Sequence, residues 1–331
     1  MSVDASLPGY RTRDASLGDC EAIAGLINEV NIAEIGIPWT TADEIRDDLT
    51  TPGHQPGDDV LLVASDGSIA GYLTLWPDEP LTSIQQLAFV RPSLWGRGLS
   101  AWLLRDGEAR ARARIEPVQP VQPVSLHVAR WAANAAAVPL FEALGYRPAR
   151  IFHEMRIELG ERPEEPEIPE GIVIRTFEVL DARAVYDALA EAFQDHWGTR
   201  FETFEVWKHD RIEGASSNFD PGLWFVAFDG HEVVGVACCR DRSARAPDAA
   251  NVDELGVRRA WRGRGIGRSL LLHAFAEARR RGIGAVELFV DSESLTGATR
   301  LYEDVGMHPI RSVENWQKVL DLPAPGMRDP A

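Results

Sequence analysis

Apolar and polar positions along the chain form recurring patterns that predict strands and helices. Short apolar runs flank an Asp-Gly pair in VLLVASDGSIAGYL (60–73) and again in LWFVAFDGHEVVGVA (223–237). An Asp-Gly pair between such runs is typical of a tight β-hairpin turn. The pattern predicts further strands at 84–90, 124–128, 250–257 and 285–291.

Longer segments that mix apolar and polar residues predict helices between these strands. They lie at about 18–29, 40–49, 98–114 and 134–144 in the first half, and at about 180–193, 202–213, 265–281 and 297–305 in the second. Gly145 and Gly306 follow the last helix of each half, where glycine commonly ends a helix. Each half therefore predicts a mixed α/β sheet flanked by helices, an α+β fold.

The order of elements repeats because the chain contains two copies of one domain. Matching residues lie between 161 and 167 positions apart: Arg13 with Arg175, Gly98 with Gly265, and Gly145 with Gly306. Such a steady separation over most of each half indicates a tandem repeat. GERPEEPEIPEG, between the copies, is rich in proline and glutamate and predicts an extended linker. The predicted organisation is a first domain at 1–159, a linker at 160–171, a second domain at 172–322 and a tail at 323–331.

Composition excludes several classes of protein. The net charge of −17 argues against a nucleic-acid partner, because phosphate binding requires a basic surface. An acidic surface would steer small cationic or amine substrates inward, although solubility is the simpler explanation of the charge. No apolar run of about 20 residues occurs and the first residues contain no apolar signal segment, so neither a membrane span nor a secretory signal is predicted. Three cysteines in 331 residues indicate a reducing compartment, the cytoplasm.

The segment DELGVRRAWRGRGIGR (253–268) predicts an anion site. A strand ends there in a loop whose glycines allow a ligand to approach the backbone, and the next helix begins with free N–H groups. Such a helix start binds phosphate or pyrophosphate. Five arginines in the same segment agree with an anionic ligand: Arg258, Arg259, Arg262, Arg264 and Arg268.

Other glycine-rich loops do not fit this spacing. A dinucleotide-binding fingerprint requires a small residue where Arg268 or Leu270 stands, and a P-loop requires a lysine that is missing. The first copy matches the fingerprint at Gly96, Gly98 and Ala101. The acidic residue that should follow about 20 positions later falls in VQPVQPV, so we treat this match as accidental.

Arg262-Gly-Arg-Gly-Ile-Gly267 after ELGV resembles the acyl-coenzyme A loop of the GNAT N-acetyltransferase superfamily, whose pattern is Arg/Gln-x-x-Gly-x-Gly/Ala. LYEDVGM (301–307) resembles a later helix of that family, which carries a tyrosine. The resemblance covers both copies and implies two tandem GNAT-type acyl-CoA N-acyltransferase domains, as in two-domain GNATs of actinobacteria. It further implies transfer of an acetyl or other acyl group from acetyl-CoA to an amine, without a metal.

The resemblance also assigns roles to residues of the second copy. It implies that Leu255, Gly256 and Val257 offer backbone groups to the pantetheine arm. Tyr302 is the implied proton donor to the departing thiolate, and Glu254 the implied base for the amine. Strand alternation predicts that only one of Asp253 and Glu254 faces the cleft. The implied coenzyme loop comprises Arg262, Gly263, Arg264, Gly265, Ile266, Gly267 and Arg268.

The first copy differs where this chemistry would take place. Trp95 stands in place of Arg262, Ser100 in place of Gly267 and Phe141 in place of Tyr302. A phenyl ring has no proton to donate. We interpret the first domain as one that has lost catalysis; a second active site with other catalytic groups is the alternative.

Three further residues are candidates for substrate contacts. Asp195 and His196 follow the first helix of the second copy, where the resembling family binds its acceptor. Glu34 lies in the matching region of the first copy. The eight histidines are scattered and Cys238-Cys239 lacks metal-ligand spacing, so no metal site is predicted.

The predicted activity is N-acetylation of a small-molecule amine, with the second domain catalytic. One alternative is acetylation of a cysteinyl amine, the reaction of mycothiol synthase; Ser294 departs from that type, which usually carries asparagine near this position. An alternative of another class is a non-catalytic acyl-CoA sensor, against which Tyr302 and Glu254 argue. The acceptor, the length of the acyl group, coenzyme binding by the first domain and the oligomeric state stay open.

Overall fold

A computed structural model describes most of the chain and divides it into two compact units. The described residues are 7–55, 57–78, 80–118, 120, 122–160, 166–197, 202–214, 218–294 and 297–320. Unit 1 comprises residues 1–150 and 314–331, and unit 2 comprises residues 151–313. The domain bounds 1–159 and 172–322 stay a prediction. The predicted tail, 323–331, and residues 161–165 of the predicted linker lie outside the described residues.

Unit 1 contains a mixed sheet that includes the predicted hairpin. Its strands are β1 (Tyr10–Asp14), β2 (Asp59–Ala64), β3 (Ile69–Pro77), β4 (Ser83–Val90) and β5 (Val124–Trp131). They pair in this order, antiparallel from β1 to β4 and parallel between β4 and β5. Gly67 adopts a φ of 86° at the turn between β2 and β3, which explains the Asp-Gly pair.

Helices cover both faces of the unit 1 sheet because its strands carry apolar side chains on both sides. The helices are α1 (Cys20–Ile35), α2 (Ala42–Thr50), α3 (Leu99–Val118) and α4 (Ala137–Ala143). Ile23 of α1 packs with Leu61, while Leu103 of α3 packs with the next residue of the strand, Leu62. This alternation is typical of a strand buried on both faces.

Unit 2 repeats the same layers. Its strands are β7 (Ile172–Thr176), β8 (Trp224–Asp229), β9 (Glu232–Arg240), β10 (Ala249–Val257) and β11 (Ala285–Asp291). They are antiparallel from β7 to β10, and β10 runs parallel to β11. The helices are α5 (Ala182–Ala192), α6 (Phe204–Lys208), α7 (Ile266–Arg280) and α8 (Ala298–Asp304). The mixed sheet flanked by helices, predicted for both halves, is confirmed.

The last strand of each half crosses the boundary between the units. Strand β6 spans Arg147–Glu158, and its residues 151–158 belong to unit 2, where they pair antiparallel with β11. Strand β12 spans His308–Leu320, and its residues 314–320 belong to unit 1, next to β5. Trp316 and Leu320 are buried in the core of unit 1. Each sheet is therefore completed by residues from the other half of the sequence.

No helix among the described residues has the length and apolar character needed to cross a membrane.

Candidate active site

The site begins where β10 and β11 separate. Their parallel ladder runs from Ala249 opposite Ala285 to Val252 opposite Leu288 and stops there. Strand β10 continues along β9 as far as Val257. Residues 253–257 therefore keep one edge outside the ladder, and backbone groups on such an edge can bind an extended ligand.

A cavity of about 270 Å³ in unit 2 lies at this separation. It brings together many of the predicted site residues: His196, Leu255, Gly256, Val257, Arg262, Gly263, Gly265, Ile266, Gly267, Arg268 and Tyr302. Arg264 and Glu254 are outside this lining. Six lining residues were not singled out from the sequence: Ala192, Phe193, Trp261, Gly297, Ala298 and Leu301. The spacing of Ala298, Leu301 and Tyr302 on one helical face was a usable signal for part of this set.

Glycine is required in the loop by backbone conformation. Gly263 and Gly265 adopt φ values of 75° and 84°, which L-residues with side chains rarely adopt. Gly265 is the N-cap of α7, so the first N–H groups of that helix point out of its end. A Cβ at Gly263 would meet no atom within 4 Å, which leaves open space above the loop. These features fit a pyrophosphate group.

Arginine side chains around the loop differ in their surroundings: Arg262 and Arg268 line the cavity, whereas Arg264 does not. Arg262 donates from Nε to the carbonyl of Val257 at 3.1 Å and from Nη2 to the carbonyl of Ala192 at 2.9 Å. It therefore links the loop to the ends of β10 and α5. Arg264 lies 3.6 Å from a carboxylate oxygen of Asp229, away from the lining. Arg268 lines the cavity from the first turn of α7.

Tyr302 projects from α8 to the cavity and is only 6% exposed. Burial raises the pKa of its phenol above the ordinary value, so the hydroxyl is protonated at neutral pH. Within the described part of the chain, no group forms a hydrogen bond with this hydroxyl. The hydroxyl can therefore donate a hydrogen bond to a ligand atom.

A β-bulge places the two neighbouring carboxylates of β10 on the same face of the sheet. Val252 lies opposite Cys239 and Glu254 opposite Cys238, which leaves Asp253 as the extra residue. Asp253 accepts hydrogen bonds from Arg240, two residues beyond Cys238 on the same face of β9. The alternation expected of a regular strand does not hold here, because the extra residue reverses it.

Glu254 is 7% exposed and lies against the segment that follows α5. The indole N–H of Trp207 donates to its Oε2 at 3.4 Å, and Nε of Arg211 donates to its Oε1 at 3.4 Å. Burial raises the pKa of the carboxyl, while Arg211 opposes the shift. Glu254 is thus next in sequence to the lining residue Leu255 but is not itself among the lining residues.

The other predicted substrate residues have different surroundings. His196 lines the cavity with its ring 4.5 Å from that of Phe193. The side chain of Asp195 lies outside the described residues. Glu34 belongs to α1 of unit 1, where it accepts a hydrogen bond from Asn134 at 2.6 Å and burial raises its pKa. In the described residues, no three His, Cys, Asp or Glu side chains are grouped as metal ligands.

The loop of unit 1 has the same backbone conformation without the same charge. Gly96 and Gly98 adopt φ values of 76° and 81°. Trp95 donates from its indole N–H to the carbonyl of Val90 at 2.7 Å, as Arg262 does to the equivalent carbonyl in unit 2. Phe141 is buried against Trp316, with ring centroids 5.7 Å apart.

The chain belongs to the acetyltransferase (GNAT) family, whose model matches residues 27–146 and again residues 182–307. Both tandem domains predicted from the sequence are thereby confirmed. The protein is an acyl-CoA-dependent N-acetyltransferase, as predicted. Members of this family use an acyl-CoA as donor.

Several known proteins are similar to this one over most of the length of the chain. It is 30% identical over 293 residues to a mycothiol acetyltransferase of Geodermatophilus obscurus, covering 86% of this chain and 89% of the relative. The crystal structure of a GCN5-related N-acetyltransferase from Sphaerobacter thermophilus is 35% identical, with a TM-score of 0.76 over 96% of this chain and 98% of that one. A tandem GNAT protein from the clavulanic acid biosynthesis pathway shares the fold at 16% identity, with a TM-score of 0.68 over 94% and 98% of the two chains.

Proposed function

We propose that unit 2 transfers the acetyl group of acetyl-CoA to the amine of a small molecule. The observation that carries this proposal is the cavity in which the open edge of β10, the glycine loop and Tyr302 meet. The loop from Arg262 to Arg268 would hold the pyrophosphate, and the backbone of residues 255–257 would hold the pantetheine arm. Acetyl-CoA supplies a reactive thioester when it is bound there.

Two residues would move protons in the reaction. An alkylamine is mostly protonated at pH 7, and removal of that proton costs roughly 4 kcal/mol relative to a model amine. We propose that Glu254 accepts this proton, directly or through water. Tyr302 would donate its phenolic proton at the sulfur atom as the thiol leaves, which general acid catalysis favours. The buried, protonated state of Tyr302 supports this role.

A panel of amines, assayed by release of the coenzyme thiol, tests the proposed function. We expect turnover with at least one small primary amine and binding of acetyl-CoA with one-to-one or higher stoichiometry by calorimetry. Substitution of Tyr302 should abolish most turnover without loss of binding. Absence of thiol release across a panel of alkylamines, amino sugars and cysteinyl compounds would contradict the proposal.

The names of the relatives favour a second candidate, acetylation of a cysteinyl amine. Several relatives at about 30% identity are mycothiol acetyltransferases. Ser294 is a departure within this chain, because that type usually carries asparagine near this position. An assay with cysteinyl-glucosaminyl-inositol separates the two candidates, because turnover restricted to this compound would favour the second.

We also propose that the protein works in the cytoplasm. Cys20, Cys238 and Cys239 are buried free thiols, which a reducing compartment preserves. Fractionation of cells that express the protein tests this expectation.

A further inference from the structure

Groups with opposing effects surround the carboxyl of Glu254. Trp207 and Arg211 each donate a hydrogen bond to one of its oxygens, and donors of this kind favour the ionised form. Burial and the nearby carboxylates of Glu202 and Asp253 favour the protonated form. The thiol of Cys238, opposite Glu254 on β9, has its pKa raised by burial and by the charge of Glu254, so it carries no charge of its own. A base must be ionised before it can accept a proton, so the balance among these groups decides whether Glu254 can function.

Arg211 is the cation on which this balance depends. Asp253 already has its own partner, because Arg240 donates to both of its oxygens, at 2.5 and 2.9 Å. In the part of the chain that the structure describes, Arg211 is the only cation paired with Glu254. It lies on a π-helical turn, His209–Glu213, directly after α6, which supplies Trp207. Both donors to Glu254 therefore come from one continuous segment.

Arg211 is shared between two carboxylates and held closely by neither. Its Nε lies 3.4 Å from Glu254, and its Nη2 lies 3.8 Å from Glu202. By contrast, Arg175 forms a bidentate ion pair with Asp181, with contacts of 2.7 and 2.8 Å to its two carboxylate oxygens. A guanidinium divided between two carboxylates stabilises each less than it would stabilise one alone. Glu202 therefore competes with Glu254 for the same charge.

We propose that Arg211 is a positioning residue that holds Glu254 ionised for proton transfer, and that Glu202 weakens this hold by sharing the guanidinium. The inference rests on the proposed function, in which Glu254 is the base. It predicts opposite consequences for the two neighbours of the base. Removal of the Arg211 charge destabilises the ionised carboxylate, whereas removal of the Glu202 charge stabilises it.

The test is the pH dependence of kcat/KM with an amine that the enzyme accepts. We expect Arg211→Gln to move the acidic limb upward by about one pH unit, since an opposite charge within about 4–6 Å lowers a carboxyl pKa by 1–3 units. At pH values below the acidic limbs of both proteins, kcat/KM of the variant is then about tenfold lower than that of the wild type, while the alkaline plateau is unchanged. Glu202→Gln should move the same limb downward. The limb of the pH profile that reflects ionisation of the amine substrate should be the same in all variants.

Two variants serve as controls. Arg211→Lys keeps the positive charge, so its acidic limb should lie much closer to the wild-type position than that of Arg211→Gln. Lys208→Gln removes one positive charge from the same segment, but Lys208 pairs with Glu213 at 2.5 Å and not with Glu254. It should shift the limb by less than about 0.3 unit, because exposed charges are screened. A purely structural role for Arg211 would not give opposite shifts for Arg211→Gln and Glu202→Gln.

A second readout keeps the test independent of turnover. NMR titration of protein labelled at its glutamate carboxyls identifies the resonance of Glu254 as the one lost in Glu254→Gln. An unmoved titration midpoint in Arg211→Gln, or shifts in the same direction in both variants, overturns the inference. Full turnover of Glu254→Gln overturns the base role in the proposed function instead, whatever the midpoint does.

Discussion

Trp95 and Arg262 show how one loop position can keep its structural contact and lose its charge. Each donates a side-chain N–H to the carbonyl of the last residue of the preceding strand, Val90 or Val257. The glycines that follow adopt nearly identical positive φ values in both loops. Substitution of arginine by tryptophan thus preserves the closure of the loop while it removes the cation that favours an anionic ligand.

Equivalent glycines in the two loops provide a matched pair for a test of coenzyme binding. Gly265→Val and Gly98→Val each force a β-branched residue into a φ above 80°, so the local strain is comparable. We expect Gly265→Val to lose acetyl-CoA binding and turnover, because its backbone starts α7 beside the cavity. Gly98→Val should lose stability without a matching loss of turnover.

Calorimetric titration with acetyl-CoA and a thiol-release assay measure both effects. Gly267→Ser introduces the residue that the first copy carries at the equivalent position, Ser100, and is a milder change in the same loop. A Cβ at Gly267 would lie 3.4 Å from Leu301, an ordinary contact, so Gly267→Ser should fold normally. Equal loss of turnover in Gly98→Val and Gly265→Val would contradict a single working copy.

Tyr302→Phe removes the hydroxyl and keeps the ring, so it tests the contribution of the hydroxyl alone. The phenyl group keeps the packing of α8, so the free energy of unfolding and the affinity for acetyl-CoA should change little. Turnover should fall on the order of 10²-fold, the usual effect of a lost general acid. Steady-state thiol release measures the effect, and Phe141→Tyr, at the equivalent position of unit 1, is the control expected to leave turnover unchanged. Retention of full turnover by Tyr302→Phe would make Tyr302 a packing residue.

Among the elements, the segment before β2 is fixed to the unit 1 sheet by a buried polar cluster. His54 bonds to one oxygen of Asp59, and the hydroxyl of Tyr72 donates to the other. Burial lowers the pKa of His54, but the hydrogen bond and charge of Asp59 raise it by more, so the net shift is upward. The protonated imidazole is therefore favoured in the folded protein.

This cluster predicts a stability that declines as the pH rises. A raised folded pKa gives a stabilisation that is complete below the unfolded value of about 6.5 and is lost as the pH passes the folded value. His54→Gln should therefore cost about 1–3 kcal/mol of unfolding free energy at pH 5.5 and less at pH 9. Urea unfolding at the two pH values measures the difference. An equal cost at both would show that the imidazole charge contributes nothing.

Most elements were predictable from local pattern, because their signals lie within a few neighbouring residues. The Asp-Gly hairpins, the glycine loop and the helix after it lie where the sequence predicts them. The segment predicted as a helix at 202–213 is instead a short α6 followed by the π turn that carries Arg211. The roles proposed for individual site residues stay predictions.

The bulge at Asp253 could not be predicted from neighbouring residues in the sequence. An extra residue in a strand is defined by its pairing with a neighbour, here β9, and the sequence of β10 alone does not specify that register. For the same reason, Ala192 and Phe193 gave no signal as lining residues. They reach the site because Gly256 lets α5 approach, where a Cβ would lie 3.0 Å from Ala192.

On the scale of the whole molecule, the crossing of β6 makes unit 2 dependent on the first half of the sequence. Residues 151–158 cover the edge of β11, and their loss would leave that edge bare. It would also remove Arg156, the partner of the buried carboxylate of Glu287, and Glu154, the partner of Arg311. A buried ion pair that loses one partner is strongly destabilised.

Two fragments test this dependence. We expect residues 151–313 to remain folded, and residues 166–313, which differ only by the absence of β6 and part of the linker, to aggregate or lack fixed packing. Near-ultraviolet circular dichroism and size-exclusion chromatography distinguish these states. Cooperative unfolding of the shorter fragment would show that β6 is dispensable.

The exchange of strands also constrains how such a chain can change over generations. A deletion of the first copy would take residues 151–158 with it, and a deletion at the far end would take residues 314–320 from the other sheet. Selection therefore retains the framework of both copies whichever of them catalyses. The loop around Trp95 can therefore diverge from the loop around Arg262 while both sheets, and with them the duplicated gene, stay intact.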